Sequence, residues 1–167
     1  MKNTTLCYLE KDGAYLMLHR VKKHNDVNAG KWVGVGGHFE EKESPFDCAV
    51  REIFEETGLA CASLSYRGVV TFVSDKYETE QMHLFLSDDF VGDDLFPRYT
   101  GGKEAETDCN EGNLAWVEKS LVPTLPLWEG DKVFLSLLAE DEPFFSLKLV
   151  YEGDALVAAI KNGLPLA

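Results

Sequence analysis

Three glutamates crowd one side of a short amphipathic segment, and that crowding restricts what this chain can fold into more than any other feature. The stretch "GGHFEEKESPFDCAVREIFEETGL" runs from Gly36 to Leu59. Ser44 followed by Pro45 is an N-cap and first-turn signature, and Gly58 is a helix stop, so a helix is predicted between them. Phe46, Val50, Ile53 and Phe54 supply the apolar stripe expected to pack on the rest of the domain. At about 100° per residue, Glu52, Glu55 and Glu56 then share one helical face, at i, i+3 and i+4. Like charges at that spacing destabilise an isolated helix by roughly 0.2–0.5 kcal/mol per pair. Glu43 lies just upstream and adds to the repulsion. A hard divalent cation, which prefers carboxylate oxygens, would make the arrangement favourable.

The overall charge fits a cation between protein and substrate. With 29 acidic and 16 basic residues the net charge is −13, a field that repels nucleic acid polymers. A small phosphorylated substrate remains compatible if metal ions separate the two sets of negative charge. The 167 residues, 45% of them hydrophobic, suffice for one domain, 1–167, with its own core. No run reaches membrane-spanning length, and "MKNTTLCYLEKDG" has no apolar signal region, so a cytoplasmic protein without a membrane partner is expected. Cys7, Cys48, Cys61 and Cys109 form no CxxC pair, which argues against a zinc site and against structural disulfides.

Strand and helix patterns alternate along the chain. "TTLCYLEKDGAYLMLHR" reads as a hairpin turning at Lys11-Asp12-Gly13, and Trp32 to Val35 as a short strand. "GVVTFVS", "QMHLFLS" and Leu114 to Val117 read as further strands. Asp88 to Asn113 reads as a long polar stretch, and a loop of that length in a compact domain is functional, disordered or a mistaken assignment. Val133, Phe134, Leu137 and Leu138 recur at helical spacing, and a last hairpin turns at Glu152-Gly153-Asp154. The sum is a mixed α/β domain.

From Gly37 the spacing is five residues to Glu43, seven to Arg51-Glu52-Ile53, one to Glu55-Glu56, and one to Gly58-Leu59. Seven positions of fixed type, each at about one in twenty by usage, match by chance on the order of once in a billion windows. The pattern resembles the Nudix box of the Nudix hydrolase family. The resemblance implies an α/β/α sandwich around a mixed β-sheet and hydrolysis of a nucleoside diphosphate linked to another group. It further implies that Glu52, Glu55, Glu56 and the Gly37 carbonyl bind Mg²⁺ (or Mn²⁺), with Glu111 of "CNEGNLAWV" completing the metal site. Glu52 or Glu55 would be the base for the attacking water. Glu43 and Arg51 would organise the helix and its ligands, Arg51 through its planar fork.

Beyond the box, "LPLWEGDKVFLSLLAEDEPFF" and "LVYEGDAL" look like the MutT/MutX-like 8-oxo-dGTP diphosphatase group of Gram-positive bacteria. That likeness implies conversion of 8-oxo-dGTP to 8-oxo-dGMP and pyrophosphate, a sanitation of the nucleotide pool. Ordinary nucleoside triphosphates, dinucleoside polyphosphates or ADP-ribose are the alternative substrates, and a non-catalytic nucleotide sensor the alternative role. Tyr77 is a weak pointer to the dinucleoside class. Trp32 and Trp128 are candidates to flank a purine, with a core role the alternative for Trp32. Asp131 is a candidate acceptor for a purine edge, or a helix N-terminal acid. Lys23 and His38 are candidates for phosphate contact, and His83 for a pocket-facing position. The mammalian oxidised-purine hydrolase carries an asparagine directly after the first tryptophan and a pair of adjacent aspartates near the later one. Val33 and Gly130-Asp131 stand there instead, so base recognition is expected to differ. The partner is a small nucleotide, and the chain a monomer or homodimer.

Overall fold

A computed structural model describes residues 1–23 and 25–166. Among these, ten strands form one mixed sheet: β1 (Lys2–Lys11), β2 (Ala14–His19), β3 (Trp32–Val33), β4 (Ala60–Ser74), β5 (Glu80–Val91), β6 (Arg98–Tyr99), β7 (Asn113–Glu118), β8 (Phe145–Glu152), β9 (Ala155–Lys161) and β10 (Leu164–Pro165). Their order is β10-β9-β8-β4-β5-β1-β2-β7-β6, with β3 joined to β2. The β1–β5, β4–β8 and β6–β7 pairs are parallel, and the other neighbours antiparallel.

Two helices, α1 (Pro45–Thr57) and α2 (Glu129–Ala139), cover opposite faces of the sheet. The alternation along β1 assigns the faces. Leu6 and Tyr8 pack in the cluster that holds Phe134 and Leu138 of α2, whereas Cys7 and Leu9 pack with Ala49 and Ile53 of α1. This is the α/β/α arrangement expected above.

Helix α1 begins as its sequence dictates. The Asp47 N–H donates to Ser44 Oγ at 3.1 Å and the Ser44 N–H donates to Asp47 Oδ2 at 2.9 Å, a capping box built with aspartate. Gly58 ends the helix at φ 75, in the left-handed region. The first hairpin turns through Asp12 and Gly13 at φ 51 and 76. Asn162-Gly163, a hairpin dipeptide the reading above did not use, turns β9 into β10 in the same way.

Two expectations need correction. The stretch from Asp88 to Asn113 is not one loop. Asp88 to Val91 prolong β5, because Ala60 to Ser63 extend β4 backwards and pair with Asp89 to Val91 through bulges. The exposed Asp88 and Asp89 read as loop because polar side chains on a solvent face do not prevent strand pairing. Farther on, Arg98–Tyr99 forms β6 against β7.

The apolar stripe of α1 is also rotated. Cys48, Ala49, Ile53 and Thr57 are buried, while Phe46, Val50 and Phe54 are exposed. Rotation about the helix axis is set by Glu52 and Glu56, which must face the Gly36-Gly37 segment, and small Cys48 and Ala49 let the helix approach the sheet. Phe46 covers the rim, edge-on to Tyr66 and Phe85 at centroid distances of 5.7 and 5.0 Å. Ile53→Ala is expected to lower unfolding free energy by about 2–5 kcal/mol, and Phe54→Ala by less than about 1 kcal/mol. Urea unfolding of the two variants measures this, and equal losses would contradict the observed helix rotation.

Candidate active site

Arg51 resolves the crowding of carboxylates. Its Nε and Nη2 donate to the two oxygens of Glu43 at 2.7 and 2.8 Å, a forked pair. Nη1 donates to Glu52 at 2.8 Å and to Glu55 at 3.2 Å, and Nη2 also reaches the His38 carbonyl at 3.0 Å. One cation is therefore shared by three of the four acids. The guanidinium holds Glu43 ionised, its carboxyl lowered to about 2.

Glu56 is placed differently. Its Oε2 accepts from the Gly36 N–H at 3.1 Å. Burial raises its pKa, and the negative charge of Glu111 raises it further. Burial is also the main cause of the raised Glu52 pKa, against the lowering effect of Arg51. Gly37 lies directly against the end of the Glu52 side chain. A Cβ there would lie 2.6 Å from the Glu52 carboxyl carbon. Its carbonyl, expected among cation ligands, accepts from the Thr5 N–H at 2.9 Å, which engages β1 and leaves its second lone pair. Gly36 is the glycine that touches a box carboxylate through its backbone.

Two cavities meet at Glu111 and Lys23. One, of about 320 Å³, is lined by Lys23, Gly37, His38, Glu111, Trp128 and Asp131 among others. The second is an acidic groove of about 880 Å³ bordered by Glu52, Glu55, Glu56, Lys23 and Glu111. Lys23 Nζ lies 3.3 Å from Glu111 Oε1. Asp131 sits in the first cavity with 6% exposure, and burial pushes its carboxyl up to about 8.

Residues 2–138 match the NUDIX domain family. The chain belongs to the Nudix family. It is 30% identical over 146 residues to an uncharacterised Nudix hydrolase of Bacillus subtilis, covering 85% of this chain and 82% of that one. It is 28% identical over 123 residues to the oxidized purine nucleoside triphosphate hydrolase of Mus musculus, covering 73% and 71% of the two chains. A crystal structure of a MutT protein from Bacillus halodurans has the same fold, with TM-score 0.80 and 22% identity over 99% of this chain and 100% of that one. No helix among the described residues is long and apolar enough to cross a membrane.

The donor set of this Nudix chain suits a hard cation chemically. Glu111 Oε2 is buried without a hydrogen bond among the described residues, although Arg20 Nη1 is 3.1 Å away in a charge contact that is not aligned for one. Glu111 borders the same groove as Glu56, whose charge is disfavoured by burial and by this acidic neighbour, while Glu111 itself faces Arg20 and Lys23. As they stand, no three acidic or histidine side chains among the described residues converge on one point. Arg51 occupies Glu52 and Glu55, which accounts for this.

Other sequence candidates are sorted by the fold. Trp32 is 1% exposed, stacked on His19 at 4.5 Å and beside Tyr99 at 4.8 Å, so it is a core residue and does not flank a base. Trp128 borders the cavity, yet Lys31 Nζ sits 4.5 Å over its ring. Strand alternation puts Met82 in the cavity and turns His83 to the other face, where it bonds Tyr66 and Asn3. Tyr77 lines the first cavity.

Arg20 escaped the sequence reading. Its Nε holds Asp26 Oδ2 at 2.7 Å while Nη1 faces Glu111, linking the walls of both cavities. A basic residue continuing the β2 alternation was the available signal.

Two tests follow from this geometry. Gly37→Ala is expected to leave the melting temperature within a few degrees of wild type, because the flexible Glu52 side chain can yield. Gly36→Ala should destabilise by several degrees, since its Cβ would lie 2.0 Å from the Thr5 carbonyl oxygen, which is backbone. Thermal melts of both decide it. For Asp131, the carboxyl is protonated in folded and unfolded chains below about pH 4. As pH rises the unfolded chain ionises first, so stability is lost until the folded carboxyl ionises at about 8. Asp131→Asn should therefore match wild type near pH 4 and exceed it by about 1 kcal/mol or more at pH 8, measured by urea unfolding at both pH values.

Proposed function

We propose that this Nudix chain hydrolyses a purine nucleoside triphosphate to the monophosphate and pyrophosphate, with 8-oxo-dGTP as its substrate, as in the MutT/MutX-like group. The carrying observation is the junction of the two cavities at Lys23 and Glu111. A nucleotide spanning them has its base beside Asp131 and Trp128 and its phosphates between Lys23 and the glutamate groove. The likeness to a hydrolase named for oxidised purine nucleoside triphosphates favours the same substrate class.

Glu52, Glu55, Glu56 and Glu111 would hold Mg²⁺. Bound there, the ion would neutralise the polyphosphate and acidify water. The chain's own residues supply the rest. Glu55, the more exposed of the two candidate bases at 56% of its side chain, opens on the groove and accepts the proton of the attacking water. Arg51 keeps Glu52 and Glu55 oriented, itself fixed by Glu43. Lys23 and His38 offer positive charge or hydrogen bonds to the phosphates. Water adds to an inner phosphorus, the bond to the bridging oxygen breaks, and pyrophosphate leaves.

Steady-state pyrophosphate release with Mg²⁺, comparing 8-oxo-dGTP with dGTP, ATP, ADP-ribose and diadenosine tetraphosphate, tests the reading. Expected is a preference in kcat/KM for 8-oxo-dGTP over dGTP of about a hundredfold, about 2.7 kcal/mol. A flat profile or another preferred compound would discard the substrate and keep the family. Glu55→Gln is expected to lower kcat by roughly 10²–10⁴-fold with an unchanged circular dichroism spectrum. Near-normal turnover would remove Glu55 as the base.

A further inference from the structure

The first cavity contains one carboxamide among its described lining residues, Asn28, in the segment between β2 and β3. Its side chain is oriented by a neighbour. The Trp128 indole N–H donates to Asn28 Oδ1 at 2.9 Å. An indole N–H is a donor only, so the oxygen must face Trp128 and the NH₂ group remains for the cavity. The surrounding backbone is tied on both sides. The Asn28 N–H donates to Asp26 Oδ1 at 3.1 Å, Asp26 is held by Arg20 at 2.7 Å, and the Lys31 N–H donates to the Asn28 carbonyl at 2.9 Å.

We infer that Asn28 selects a 6-oxopurine over a 6-aminopurine, its side-chain NH₂ donating to the oxygen at position 6 of a base held beside Asp131. The inference rests on the nucleotide reading above. An asparagine with both amide groups available suits the paired donor and acceptor of an adenine edge. Here the carbonyl is occupied by Trp128, so only acceptors on the base are matched, and a 6-amino group would confront one donor with another. Any distinction made by Asp131 would change with its protonation, since a carboxyl donates when protonated and accepts when ionised, whereas the Asn28 NH₂ donates at every pH. Trp128 is then a positioning residue. Lys31 sits over its ring, and its indole N–H orients the amide that meets the base.

The test is kcat/KM for dITP and dATP, which carry an oxo and an amino group at position 6, on the full chain with Mg²⁺. Wild type should favour dITP by tenfold or more. Asn28→Asp, which replaces the donor by an acceptor, should reverse or abolish that preference, and Asn28→Leu should bring the ratio near one. Trp128→Phe releases the amide and should shrink the ratio even if total activity falls. The ratio is independent of how much of a variant folds, because both substrates meet the same enzyme. A wild-type preference for dITP that both Asn28 variants leave intact overturns the inference, as does a wild-type ratio near one. In either case continued pyrophosphate release leaves the hydrolase reading standing. No release from any nucleoside triphosphate overturns both.

Discussion

The acidic end of this Nudix chain depends on one guanidinium. Without Arg51, Glu43, Glu52 and Glu55 would repel one another within a turn or two of α1. With it, the three carboxylates take four hydrogen bonds from donors fixed in one plane, and the forked bond to Glu43 sets that plane. The same contact ties α1 to the preceding segment through the His38 carbonyl. Helix rotation goes with the contacts of Glu52 and Glu56 to the Gly36-Gly37 segment. Ile53 and Ala49 meet the sheet, and Phe46, Val50 and Phe54 are left outside.

At the other end, the cavity that holds Asp131 is joined to the acidic groove by a short polar chain. Asn28 holds Asp26, Asp26 holds Arg20, and Arg20 faces Glu111. The polar residues that would meet a base and those that would meet phosphate thus share one connected framework. Glu56, buried beside Glu111, carries the larger electrostatic cost, whereas Glu111 is met by Arg20 and Lys23.

Much of the architecture was legible in the residues. Ser44-Pro45 and Gly58 marked the helix ends, because caps act through local backbone geometry alone. Asp12-Gly13 and Asn162-Gly163 marked hairpins for the same reason, although the second was passed over. Failures occurred where a partner distant in sequence decided the outcome. The polar run after Ser87 became strand because the start of β4 paired with it. Trp32 became core because His19 and Tyr99 closed on it, and His83 left the cavity side because the strand period carried Met82 inward.

By itself the sequence determined the family, the glutamate face of α1 and the need for a charge to balance it. Residue type and spacing within a few turns are enough for those. Tertiary structure decided which face of α1 is buried, that the Gly37 carbonyl bonds Thr5, and that Arg20 and Asn28 line the same cavity as Asp131. These are matters of contact between segments far apart along the chain. No local pattern encodes them, because the hydrogen bond from Trp128 to Asn28 exists only once the sheet has brought the two together across 100 residues.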